Sequence, residues 1–226
     1  MNLIRKGKSR RGVIGVESAI VMIAFVIVAA ALAFVVLNMG FSATQRAKTA
    51  IVASLEESSS TLEIAGKVTG SGSPTQGKLN VTAVPLKIAA GGSSVNLNVA
   101  TMAVKYYTGS VQYDNIYAGI LTTGSYQNLT TAMDAAKNTG GWINVNPVTG
   151  NTNPNATKAI VYFSVNRNNN AILDDGEHAT LAIVYKGSER PQALDAIKAE
   201  AIVPTGAPLS IEREVPNITS KVVDLG

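Results

Sequence analysis

The chain has 226 residues, enough for one domain of ordinary size beyond any long hydrophobic segment, or for two small ones. It has no cysteine, which excludes a disulfide framework and thiolate chemistry, and its single histidine, His178, leaves almost no basis for a zinc site or a nucleophile dyad. The formal charge of +4 suggests a nucleic-acid partner, but five of the 19 basic residues lie within residues 1–12, and the other 14 face 15 acidic ones, so the bulk of the chain has no footprint for nucleic acid.

The five basic residues, Arg5, Lys6, Lys8, Arg10 and Arg11, end at a join between Gly12 and Val13, where an apolar segment begins. Ala19 to Leu37 are 19 consecutive apolar residues, enough to span a bilayer as a helix, and the basic leader predicts that residues 1–12 stay on the cytoplasmic side. One carboxylate, Glu17, sits just inside the segment. An ionisable group at such a place is costly, so it marks a candidate functional residue in need of a partner.

A secretory signal also has a basic start and an apolar centre, and Gly40, Phe41 and Ser42 offer a poor cleavage site that would release a protein beginning at Ala43. Against it, a helical apolar stripe continues through Ala43, Ala47, Ile51, Leu55 and Leu62. The pattern predicts one helix from about Val13 to about Ala65, on the order of 80 Å long, with a weak point at Asn38 and Gly40. Its first half is apolar all round and rich in alanine, which suits either a membrane anchor or a bundle of close-packed helices.

After Gly66 the period changes to two. Gly70 to Pro74 read as a loop, and Leu79, Val81 and Ala83, then Val95, Leu97 and Val99, alternate with polar neighbours as half-buried strands. Further strands are expected at 102–107, 116–122, 159–165, 180–185, 197–203 and 210–215, and Asn128 to Lys137 read as a short helix with Leu129, Met133 and Ala136 on its apolar side. Seven or more short strands predict an antiparallel sandwich or barrel.

Two kinds of polar motif stand out in this region. Asn166, Asn168, Asn170, Asp174 and Glu177 place oxygen side chains at positions one, three, five, nine and twelve of a loop, the spacing of a calcium loop. Ala171 stands where such a loop needs glycine, and the flanks read as strands, which favours an asparagine-rich hairpin connection whose side chains satisfy their own backbone. Calcium, or another hard cation, remains the lesser reading. Asn80, Asn128, Asn155 and Asn217 each begin an Asn-x-Ser/Thr sequon and are candidate glycan acceptors on the outer side of a membrane.

Lys8, Ser9, Arg10, Arg11 and Gly12, followed by Val13, Ile14, Gly15, Val16 and Glu17, resemble the processing site of the archaeal flagellins, or archaellins, which share this N-terminus with type IV pilins. Leu55 to Gly66 and Gly206 to Pro216 also resemble archaellin segments, so the likeness covers both ends of the chain. The resemblance implies a long N-terminal hydrophobic α-helix, an immunoglobulin-like antiparallel β-sandwich (an α+β fold) and no catalytic activity. It further implies that residues 1–12 are a signal cut by a prepilin-type peptidase, that 13–65 form the membrane span and later the filament core, and that 66–226 form the outer domain. The implied partners are copies of the same chain or other archaellins, the peptidase, and a membrane platform with its ATPase. By likeness to type IV pilins, Glu17 would pair with the new amine of Val13 on a neighbour. The competing functions are an adhesion filament related to type IV pili and a membrane-anchored extracellular binding module.

Overall fold

The computed structural model describes residues 11–59, 62–149 and 152–226. These fall into two compact units that divide between Ala53 and Ser54. The described part of the first unit is helix α1 (Arg11–Ser59), 49 residues without interruption, whose last six residues are counted with the second unit. Many of its residues are β-branched and only moderate helix formers, but a segment this apolar has no solvent partner for open backbone groups, and the helix satisfies them internally. The expected weak point at Asn38 and Gly40 does not break it. Thr44 Oγ1 donates to the Gly40 carbonyl at 2.8 Å, and one glycine costs only about 1 kcal/mol.

The helix stops earlier than expected. Leu62 is not on a helical stripe but in strand β1 (Leu62–Ile64), which pairs antiparallel with β3 (Lys78–Ile88), so the β unit begins before Gly66. The reason is tertiary: Leu62 is buried, and Glu63 faces Lys87 across the ladder at 3.5 Å. The loop expected at Gly70 to Pro74 is likewise mostly strand β2 (Thr69–Ser73). Its glycines give no β signal, yet they are needed there. A Cβ on Gly70 would lie 2.7 Å from Leu79 Cδ2, and one on Gly72 would lie 2.6 Å from Ile218 Cγ2.

The remaining elements are β4 (Val95–Asn96), β5 (Ala103–Thr108), β6 (Gln112–Tyr113), β7 (Tyr117–Leu121), α2 (Leu129–Asn138), β8 (Lys158–Val165), β9 (Ile172–Leu173), β10 (His178–Val184), β11 (Ala196–Ile202), β12 (Leu209–Glu214) and β13 (Val222–Asp224). They build a seven-stranded sheet in the order β13-β2-β3-β10-β8-β7 with β1 also on β3, a four-stranded sheet β12-β11-β5-β6, and the small pair β4-β9. The seven-stranded sheet is mixed, because β7 runs parallel to β8, whereas the four-stranded sheet and the β4-β9 pair are antiparallel. Parallel neighbours need a long crossover, and α2 lies in the one that joins β7 to β8.

Two cores result. On β8, Ala159, Val161 and Phe163 enter the main cluster with Val104, Tyr106, Ala199 and Ile211 of the four-stranded sheet. Ile160 and Tyr162, on the opposite face, join Ala132, Met133 and Ala136 of α2. This alternation explains why β8 and β10 are apolar on both faces. The short helix is capped by Asn128, whose side-chain oxygen accepts from Thr131 N at 2.8 Å. Burial pushes the Tyr185 hydroxyl up to about 12; that ring lies 5.7 Å from Tyr106 of β5, and the hydroxyl pairs with Thr82.

The connection from β10 to β11 ties the larger sheets together. Glu189 accepts from Thr157 Oγ1 at 2.7 Å, just before β8, and from the Tyr113 hydroxyl at 3.0 Å, on β6. Burial raises its pKa, but the hydrogen bonds from Thr157, Tyr113 and Lys186 together outweigh burial and hold the carboxyl below its ordinary value. The adjacent Arg190 is buried and donates to the carbonyls of Leu79 at 3.1 Å and Lys78 at 3.2 Å and to the Gln76 side chain.

Candidate functional site

The candidate polymerisation element is α1. From Gly15 to Leu55 it runs 41 residues, with a window of mean hydropathy 3.3 in which no residue is buried. Its large apolar side chains, from Val16 to Leu55, are between 43% and 75% exposed. Successive helical residues turn by about 100°, so Ile20, Val21, Met22 and Ile23 together face every direction around the axis. A helix of that kind is stable only among lipid or among like helices.

Gly12 and Val13 lie in the first turn of α1, and Glu17 is exposed one turn after Val13. The leader residues Arg5, Lys6, Lys8 and Arg10 lie outside the described residues.

The asparagine loop closes on itself. Asn166 Oδ1 accepts from the backbone N–H of Asn169 at 2.8 Å and of Asn168 at 3.3 Å; Asn168 Oδ1 accepts from Asn170 N at 3.2 Å, and Asn170 Oδ1 from Ile172 N at 2.7 Å. Asp174 accepts from Ser94 Oγ at 2.5 Å and from Asn168 Nδ2 at 2.6 Å. Glu177 is 1% exposed, with Oε1 on Arg167 N at 2.7 Å and Oε2 on Asp174 N at 3.1 Å. The spacing read as a calcium loop thus positions the oxygens of Asn166, Asn168, Asn170 and Glu177 on the loop's own backbone and those of Asp174 on side-chain donors, which favours the hairpin reading. Among the described residues no group of three His, Cys, Asp or Glu gathers as a metal site. His178 is exposed at the start of β10.

The four sequons differ. Asn128 is exposed and caps α2 through its oxygen, and Asn155 and Asn217 are exposed. Asn80 is half-buried in β3, and its amide nitrogen donates to the Pro147 carbonyl at 3.1 Å, so a glycan there has only the second amide hydrogen to replace and must fit beside that backbone. Sequence reasoning missed the Glu189–Arg190 strap, because an adjacent acid and base carry no signal until the strands they join are known.

The family model for archaeal-type flagellin matches residues 12–213. The chain belongs to the archaeal-type flagellins. Probable flagellin 1 of Aeropyrum pernix is 35% identical over 214 residues, covering 92% of this flagellin and 94% of the relative. Probable flagellin 1 of Archaeoglobus fulgidus is 36% identical over 97 residues, 43% of this chain and 48% of the relative. In fold, the chain is similar to a subunit of the archaeal flagellum of Methanospirillum hungatei, with a TM-score of 0.60 and 20% identity over 92% of this chain and 98% of the other. The crystal structure of flagellin FlaB1 from Methanocaldococcus jannaschii gives a TM-score of 0.57 at 15% identity, covering 74% of this chain and 96% of that one. As a flagellin, the chain is a self-assembling structural subunit of the archaeal flagellum, a motility filament outside the cell, and not an enzyme. Its apolar helix is consistent with a membrane-associated precursor.

Proposed function

We propose that the mature subunit begins at Val13, after a prepilin-type peptidase removes residues 1–12, and that α1 serves first as the membrane span and then as the filament core. The observation that carries this reading is the apolar surface of α1, unburied on every face over the length of one span and continued by exposed Ile51, Val52 and Leu55 on a helix much longer than a span needs. A membrane platform driven by an ATPase draws the subunit from the bilayer, and Glu17 pairs with the Val13 amine of a neighbour during docking. Residues 62–226 form the outer domain. We read its two larger sheets as an immunoglobulin-like sandwich, a reading supported by the core they share.

Mass spectrometry of filaments sheared from cells tests the proposal. The expected N-terminal residue is Val13; a chain starting at Ala43 or retaining Met1 overturns the processing site. The same peptides are expected to carry glycan mass at Asn128, Asn155 or Asn217 and none at Asn80, whose nitrogen is engaged with Pro147. Any modification of Asn80 contradicts that part.

A further inference from the structure

The connection from β10 to β11 carries a positive charge that no carboxylate answers. Arg190 is 7% exposed, and among the described residues its guanidinium donates to neutral acceptors only, the carbonyls of Leu79 and Lys78 and the Gln76 side chain. Three of its five N–H groups are thereby used, and two remain, one on each terminal nitrogen. The adjacent acid does not neutralise it, because Glu189 is engaged by Thr157, Tyr113 and Lys186. A buried cation without a counterion is costly, and an anion brought to it from outside relieves that cost.

Arg190 lines a cavity of about 480 Å³ beside the turn from β2 to β3. That volume falls within the range of about 300–1,000 Å³ usual for small-molecule sites. Lys221 is the second cation of the lining; among the described residues it makes no ion pair, and no acidic residue lines the cavity. Asn80 lines it too, and its buried Oδ1 has no hydrogen-bond partner. The orientation of that amide is fixed, because Nδ2 donates to the Pro147 carbonyl at 3.1 Å. A buried acceptor left without a donor is the reverse of what a bare anion can satisfy. The hydroxyls of Ser73 and Thr75 add groups able both to donate and to accept. None of the expected glycan acceptors, Asn128, Asn155 and Asn217, lies on this lining.

We propose that this cavity binds a sugar acid, with its carboxylate on Arg190 and Lys221 and a hydroxyl donating to Asn80 Oδ1. Two requirements select that class of ligand. The two cations call for an anion, and a carboxylate suits the two free N–H groups of the guanidinium. The unpaired oxygen of Asn80 calls for a donor on the same molecule, which a hydroxylated ring supplies and a simple carboxylate does not. The site is independent of the processing and assembly of α1, since every residue that forms it belongs to the β unit.

The test is an amide chemical-shift titration of the full chain in detergent micelles with sodium glucuronate at constant ionic strength. Saturable shifts are expected at Gly72 to Gln76 and at Val148, with a dissociation constant of about 1 mM or tighter. Sodium acetate, which lacks the hydroxyls, and glucose, which lacks the carboxylate, are each expected to bind about tenfold more weakly or worse. Lys221 is exposed, so Lys221→Gln leaves the fold intact and is expected to weaken glucuronate binding about fivefold or more. Arg190→Lys keeps the charge but loses the planar fork, and a loss of about tenfold is expected there. Whatever Arg190→Lys does to folding, the exposed Lys221→Gln substitution keeps the test decisive. Absence of a saturable shift with glucuronate, equal binding of acetate or glucose, or unchanged affinity in Lys221→Gln overturns the proposal.

Discussion

Replacing Glu177 offers the sharpest stability test of the β unit. Its carboxylate is 1% exposed and takes two backbone N–H groups, Arg167 at 2.7 Å and Asp174 at 3.1 Å, so it clamps the start of the asparagine loop to its end. Glu177→Ala removes two hydrogen bonds to a charged acceptor, each worth about 1.5–3 kcal/mol, and leaves two donors without a partner. Part of the loss is offset because a buried charge no longer has to be desolvated, which brings the expected cost to about 3–4 kcal/mol. For a unit of this size each kcal/mol lowers the melting temperature by roughly 2–4 °C, so a fall of about 6–16 °C is expected. Glu177→Gln keeps one acceptor and turns an N–H₂ towards the other donor, and its fall should be intermediate. The measurement is thermal unfolding of the full chain in detergent micelles, followed by the β circular dichroism signal. Asp175→Asn, at an exposed neighbouring carboxylate, is the control and should change stability by less than about 0.5 kcal/mol. If Glu177→Ala melts with the control, the clamp contributes nothing and the reasoning is wrong.

Two further outcomes follow from the structure. A Cβ on Gly119 would lie 2.3 Å from Trp142 Cζ2, so Gly119→Ala must displace the indole at a cost of about 1–3 kcal/mol. Since Trp142 is the chain's one tryptophan, its fluorescence should shift to longer wavelength together with a lower melting temperature, and an unchanged emission spectrum would falsify the packing argument. If Glu17 pairs with the Val13 amine of a neighbour during docking, as proposed, Glu17→Ala is expected to slow filament growth while leaving the melting of finished filaments unchanged. Equal growth rates remove that role from Glu17.

Much of the β unit was legible as alternation, and what escaped did so for identifiable reasons. The strands from β5 to β12 that carry bulky residues of period two were expected within a residue or two. β2 was not, because Gly70 and Gly72 lack the side chains that signal a strand; they are required by Leu79 and Ile218 packing above them. β1 continued a helical stripe in sequence, but Leu62 finds its burial on β3. The parallel pairing of β7 with β8 depends on the crossover through α2, which no local pattern expresses. Within the asparagine loop the spacing of oxygens was visible, but the identity of their partners was not. Asx turns and a metal shell demand similar spacing, and only the folded loop shows Glu177 clamping Arg167 and Asp174.

The amino-acid sequence alone determined the long apolar helix, because apolarity on every face of a helix is a local property and can be relieved only by lipid or by other copies. The flagellin-like segments at both ends were equally a matter of local residue order. Tertiary structure alone decided where the helix yields to β1, which sheet each strand joins, and what becomes of the polar loop, because those outcomes turn on hydrogen bonds and burial between residues far apart in the chain. It also decided that Leu194, an ordinary apolar residue in sequence, is held in a left-handed turn and left bare to solvent.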